Sequence, residues 1–323
     1  MSQTAFLLVL AAAFAHAAWN IIAHGSSRSG LPFLWWGSLV SALLWAGAVP
    51  FTGGLGTADL GGFLLGAGVS ALLHVGYMLL LQRGYAMGDL SLVYATARGT
   101  GPLLTVLVAV LALGERPAPL ALAGIGVILL GIVGIGFAGR APRGGAARGP
   151  GAVSAPAAPR PRAVPAVGDP PRSAGVPGRR GRLDPGLGYG LATGVAIAAY
   201  TVWDTHALRV WELSPVAFMV GCAALELPLL TVGVWRRRRE LLPVLRTQWG
   251  RLLLFGVLSP LSYILVLTAV TIAPVALVAP VREVSVVLVS LWGAFVFRER
   301  RPAARIAASL VVVGGVLLLG APS

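Results

Sequence analysis

Arg98 and Arg282 each interrupt an apolar run long enough to cross a lipid bilayer. At a bilayer centre an arginine costs about 2.5–3.5 kcal/mol on insertion scales, so it faces a wet cavity or a partner charge. Arg98 shares a helical face with Tyr94 and Thr105. Gly99, Gly101 and Pro102 follow it; they weaken a helix and free backbone carbonyls. Arg282 has Pro280 before it and Glu283 and Ser285 after it. A charge beside a broken helix marks a transport site, where the guanidiniums would hold an anionic group of the solute or organise the cavity. The alternative is a structural ion pair, for example Arg98 with Glu283, that locks two parts of the chain together.

Other polar residues sit at helical spacing inside apolar runs. His16 and Asn20 are four apart on one face, with Trp19 beside them, and Tyr200, Trp203 and Asp204 form a similar group. These fit the walls of a solute cavity, although Trp19 and Trp203 could equally be anchors at the membrane surface. His74 and Tyr77, three apart, either contact substrate, or His74 is a buried histidine satisfied by a backbone carbonyl. Glu226 is the most isolated acid. A carboxyl in apolar surroundings can trade its proton near neutral pH, which makes Glu226 a proton-coupling candidate with Glu283 and Asp204 as rivals. The alternative for Glu226 is a neutral side chain hydrogen-bonded to the next helix. Glu115 and Glu299, next to arginines at span ends, read as loop ion pairs or helix-end caps rather than site residues.

The elements that hold these residues follow from composition. The chain has 323 residues, 57% hydrophobic and 11% charged, with a mean hydropathy of +0.83. A soluble domain carries roughly 25% charge, so the bilayer is the better solvent for this chain. All 25 basic residues are arginine. Without lysine there is no P-loop and no Schiff-base chemistry. A single cysteine, Cys222, excludes an internal disulfide and a cysteine-built metal cluster. No H-E-x-x-H, G-x-S-x-G or paired histidine offers an enzyme centre, so the expectation is no enzyme, no metal and no cofactor. The net charge of +14 sits between apolar runs, which points to lipid headgroups rather than nucleic acid.

A spanning helix needs about 20 apolar residues. Ten segments qualify: 4–24, 32–51, 62–82, 90–112, 119–138, 187–208, 215–235, 250–270, 274–297 and 303–320. The first could be read as a signal peptide with Ala15-His16-Ala17 as its cleavage site. It lacks a basic n-region and stays apolar to Ala23, so it is expected to remain in the fold. Residues 139–186 are rich in Pro, Gly and Arg and lack aromatics, as in a disordered linker.

A shift of 184 residues superposes the two halves without a gap. Trp19 meets Trp203, Asn20 meets Asp204, Gly37 meets Gly221, Arg98 meets Arg282, and Glu115-Arg116 meets Glu299-Arg300. Gly131 and Gly136 meet Gly315 and Gly320. Five spans per half is an odd number, so the halves must lie in the membrane with opposite topology. That arrangement is common in secondary transporters and places a solute site between the halves.

The motifs His16-Ala17-Ala18-Trp19-Asn20, Ala97-Arg98-Gly99-Thr100-Gly101-Pro102-Leu103 and Gly114-Glu115-Arg116-Pro117 resemble those of the EamA-type drug/metabolite transporters. Pro280-Val281-Arg282-Glu283-Val284-Ser285 and Arg298-Glu299-Arg300 resemble their second-half counterparts. The resemblance covers both halves and not the linker, which is long for the family. It implies a ten-helix exporter of small metabolites without an ATPase, usually coupled to protons or to exchange.

The expectation is therefore an all-α integral membrane protein of ten transmembrane helices in two inverted five-helix repeats. Residues 1–138 form the first repeat, 139–186 the linker and 187–323 the second repeat. It would export small organic metabolites across a bacterial inner membrane by alternating access. The alternative is a passive channel or lipid scramblase on the same scaffold. Arg98, Arg282, Glu283, His16, Trp19, Asn20, His74, Tyr77, Tyr94, Tyr200, Trp203 and Asp204 would line the site. The partners would be a small-molecule substrate and the bilayer; glycine stripes on the fifth, sixth and tenth spans suit close helix packing, and those of the fifth and tenth could equally support a homodimer contact. Loop arginines divide 21 to 2 between the two sides, which puts the termini outside. The family resemblance implies termini inside.

Overall fold

The computed structural model describes residues 1–24, 29–56, 59–87, 90–138, 185–296 and 302–320. Most of the expected linker lies outside these residues, and its last two, Pro185 and Gly186, already belong to a helix. Each of the ten apolar segments is helical. The helices are α1 (Gln3–His24), α2 (Leu31–Ala46), α3 (Leu60–Met87), α4 (Leu90–Leu111), α5 (Pro119–Ala138), α6 (Pro185–Val210), α7 (Pro215–Val234), α8 (Leu241–Ile272), α9 (Val275–Arg282), α10 (Val284–Val296) and α11 (Pro302–Gly320). Among the described residues there is no strand, only one isolated bridge between Gly56 and Leu213.

Punctuation in the sequence explains the boundaries. Proline stands in the first turn of α2 (Pro32) and α7 (Pro215), where the helix needs no N–H. The turn after α2 runs through Gly53 at φ +91°, a conformation that suits glycine. Two elements differ from the sequence reading. α4 runs unbroken through Pro102, with the Thr105 hydroxyl donating to the Gly101 carbonyl at 3.0 Å. The break falls instead in the second half, where Glu283 separates α9 from α10. α8 begins nine residues earlier than the apolar run, at Leu241 rather than 250, and kinks at Gln248, whose φ is −127°.

The surface is apolar and the interior carries polar groups, the reverse of a water-soluble fold. Leu111, Val232, Leu130 and Leu317 are more than two-thirds exposed, while Arg98, Asp204, Glu226, Arg282 and Glu283 are buried. Among the described residues, five helical stretches are long and apolar enough to cross a membrane. α5 packs along α11, α4 against α6 and α9, α1 against α8, and α3 against α6 and α7. Glycines permit the closest approaches: a Cβ on Gly315 would stand 2.7 Å from the Gly124 carbonyl, and one on Gly131 would stand 2.5 Å from Val312. The glycine stripes of α5 and α11 therefore face one another within one chain. Three indoles of α2 tie it to its neighbours: Trp35 donates to Thr231, Trp36 to the Leu241 carbonyl and Trp45 to the Gly256 carbonyl.

At one end of the bundle Glu115 does what a helix cap does. Its two carboxylate oxygens accept the backbone N–H groups of Val275 and Ala276, both at 2.9 Å, and so satisfy the start of α9. Arg209 donates to Glu115 at 2.9 Å and to the Val270 and Ala273 carbonyls at the end of α8. The corner between α8 and α9 is thereby fixed to the ends of α4 and α6.

Candidate functional site

α4 and the α9–α10 break bring three charges together. Arg98 Nη1 lies 3.3 and 3.4 Å from the two carboxylate oxygens of Glu283, and Arg282 Nη2 lies 3.6 Å from one of them. Glu283 is 1% exposed, and each arginine 6%. These separations exceed the 2.7–2.9 Å or so of a tight charge-assisted bond, so the guanidiniums are held but not saturated. The set carries two positive charges against one negative charge. Among the described residues Arg282 Nε has no hydrogen-bond partner.

From this centre polar contacts run in two directions. Toward α1, Arg98 Nη2 lies 3.2 Å from His16 Nε2, and the Trp19 indole approaches His16 Nδ1 at 3.3 Å. Both groups are obligate donors, and a neutral imidazole has one acceptor nitrogen. His16 can satisfy only one of them at a time, which adds to the donor surplus. Asn20 donates to the His16 carbonyl at 2.8 Å, and the Arg98 guanidinium lies over the Tyr94 ring at 5.4 Å. Toward α6, Arg282 donates to the Tyr200 hydroxyl at 3.3 Å. Tyr200 stacks on His74 at 4.2 Å and stands 5.6 Å from Tyr77. Tyr263 of α8 closes the chain: it meets His74 edge-on and donates a short hydrogen bond to one oxygen of Asp204. The other oxygen, Asp204 Oδ1, is buried and has no hydrogen-bond partner among the described residues.

His74 is held by backbone and packs against tyrosine. Its Nδ1 lies 3.0 Å from the Ser70 carbonyl, and its ring forms part of the aromatic wall. His16, Trp19, Asn20, His74, Tyr77 and Tyr94 are only half-buried, so the sealed charges have a partly open aromatic edge. The charged residues are thus arranged as a pair and a wall at once: the Arg98–Glu283 contact exists, and it stands beside the side chains expected to line a cavity.

Two expected residues lie elsewhere. Trp203 turns to α3, where its indole donates to the Gly66 carbonyl at 2.9 Å, and it packs on His206 and Trp211. Glu226 sits between α7 and α2, accepting the Ser38 hydroxyl at 2.8 Å. Tyr263, Ser70 and Ser38 were not singled out from sequence. Tyr263 corresponds to Leu79 under the 184-residue shift, so the repeat carries no signal for it. A lone tyrosine in the apolar run after Pro260 was the remaining clue.

The fold and the second half of the chain each resemble known proteins. No curated protein matches the chain. Among solved structures, 28 chains are similar. One, the crystal structure of a protein, aligns over 98% of this chain and 96% of its own with a TM-score of 0.65. At 16% identity that likeness is one of fold. Residues 184–321 match the model of the EamA-like transporter family. The second half of the chain is therefore similar to an EamA-like transporter domain.

Proposed function

We propose that the protein is a secondary transporter that exports small organic metabolites by alternating access between two inverted five-helix halves, residues 1–138 and 187–323. The observation that carries this reading is the buried charge network at their seam, where Arg98 of the first half meets Glu283 of the second. The packing pattern supports the inversion. Exchanging each helix for its counterpart 184 residues away turns the α1–α8 contact into α6–α3 and the α2–α8 contact into α7–α3. Both members of each exchange occur.

The chemistry of the network suits an amino-acid-like or otherwise zwitterionic solute. Its anionic group would take up the donor surplus of Arg98, Arg282 and His16. Its cationic group would find an acceptor in Asp204 Oδ1, and Tyr77, Tyr94, Tyr200 and Trp19 would supply apolar faces. Glu226, buried with a single hydroxyl partner, would carry a coupling proton, with Asp204 as its rival. Glu283 is the weaker candidate because two guanidiniums already compensate its charge. The all-arginine composition is in keeping with a bacterial inner membrane.

Counterflow in proteoliposomes, with a panel of labelled amino acids and organic acids, tests the reading. A carrier accelerates uptake when unlabelled solute is loaded inside. Conductive flux without that acceleration would favour the channel alternative.

A further inference from the structure

We propose that residues 235–249, between the spanning parts of α7 and α8, form a binding surface for anionic phospholipid headgroups. The segment is built differently from the other connections. α7 ends at Val234, a 3-10 turn covers Trp235–Glu240, and the first turns of α8 follow before its kink at Gln248. Those first turns are docked on α2. Trp36 donates to the Leu241 carbonyl, the Gln248 amide donates to Ser29, and Val244 is buried beside Phe33 and Leu252.

Docking on that side leaves a basic and aromatic face outside. Arg236, Arg238, Arg239 and Arg246 are exposed, as are Trp235 and Trp249, at 60% and 63%. The segment's acid, Glu240, is already engaged. Arg237 bonds it at 2.8 and 2.5 Å and holds its carboxyl below the usual carboxylate range. Arg238 lies 5.1 Å over the Trp235 ring, which leaves the edges of its guanidinium open. Arg236, Arg239 and Arg246 have no acidic partner among the described residues.

Indole rings favour the headgroup level of a bilayer, and arginines just outside it attract acidic lipids. Trp235 and Trp249 stand at the two ends of the stretch that carries these arginines, so indoles and guanidiniums would meet the same layer. A phosphate diester with a net negative charge fits the open guanidinium edges, whereas a zwitterionic headgroup brings its own cation and gains little.

Reconstitution with spin-labelled phosphatidylglycerol and phosphatidylcholine tests this by electron paramagnetic resonance. The wild-type protein should immobilise phosphatidylglycerol preferentially at low salt. That preference should fall towards parity in the triple variant Arg236→Gln/Arg238→Gln/Arg239→Gln, which leaves the Arg237–Glu240 pair intact. High salt should weaken it in the wild type, a readout that holds even if the variant fails to fold. Brominated phosphatidylglycerol should quench the wild type more than a Trp235→Phe variant. Equal immobilisation of both lipids by the wild type, or full preference in a folded triple variant, would overturn the proposal.

Discussion

Arg98 and Glu283 stand 185 positions apart in sequence and 3.3 Å apart in the fold, and Arg282 flanks the same carboxylate at 3.6 Å. Glu283 thus has two cationic partners, whereas each arginine depends on this one acid. Removing the acid leaves two buried guanidiniums uncompensated. Removing Arg98 leaves one ion pair.

The two substitutions should therefore differ in stability. Glu283→Gln is expected to cost about 3–5 kcal/mol, the usual penalty for stranding buried charge. Arg98→Gln should cost clearly less. Thermal unfolding of detergent-purified protein reads the order directly, and equal midpoints for the two variants would argue against a shared counter-ion.

Tyr263→Phe should be more harmful than its loss of one oxygen suggests. The hydroxyl is the donor to Asp204, whose second oxygen has no hydrogen-bond partner among the described residues. A buried carboxyl left unsatisfied costs about 1–3 kcal/mol. Asp204→Asn keeps an acceptor for Tyr263 and should be milder. The comparison needs only unfolding midpoints of the two variants.

Glu115→Ala should loosen the start of α9. It removes the acceptor for two backbone N–H groups and the partner of Arg209. Loss of a helix cap costs about 1 kcal/mol, and a half-exposed ion pair adds at most about as much. Hydrogen exchange at residues 275–278 should rise by roughly tenfold, the factor for 1.4 kcal/mol. Unchanged exchange there would mean that the packing of α9 alone holds it.

Inversion of the halves makes a topological prediction at Phe51 and Trp235. They correspond under the 184-residue shift, and both are exposed at helix ends, at 89% and 60%. In a Cys222→Ala background, Phe51→Cys and Trp235→Cys should react with a membrane-impermeant maleimide from opposite sides of the bilayer. Labelling from one side would contradict two inverted units.

Much of this architecture is written in local patterns. Apolar length between turn signals marked ten segments that are helical, because a bilayer imposes one element length wherever a chain crosses; it did not mark the division into α9 and α10 or the first turns of α8. The charges of the site stood out for the same reason: Arg98 and Arg282 are conspicuous in an apolar run. Less legible were contacts that depend on how helices rotate about their axes. Trp203 and Asp204 are adjacent in sequence, yet Asp204 joins the network while Trp203 faces α3. Tyr263 acquires its role only when α8 packs on α6, where its hydroxyl reaches Asp204. Pro102 read as a helix break, but α4 continues through it because helices on either side support it; the real break at Glu283 coincides with the ion pair. The early start of α8 was hidden because residues 241–248 are not apolar enough to span, and they dock on α2 instead.

The most direct test of the central claim is counterflow of a transported solute by Arg98→Ala protein reconstituted at wild-type density. The ion pair left between Arg282 and Glu283 should keep the variant folded, as judged by a monodisperse elution profile and an intact unfolding transition. Flux is predicted to fall to the level of empty liposomes. Wild-type flux from the folded variant would contradict a solute site built on this seam.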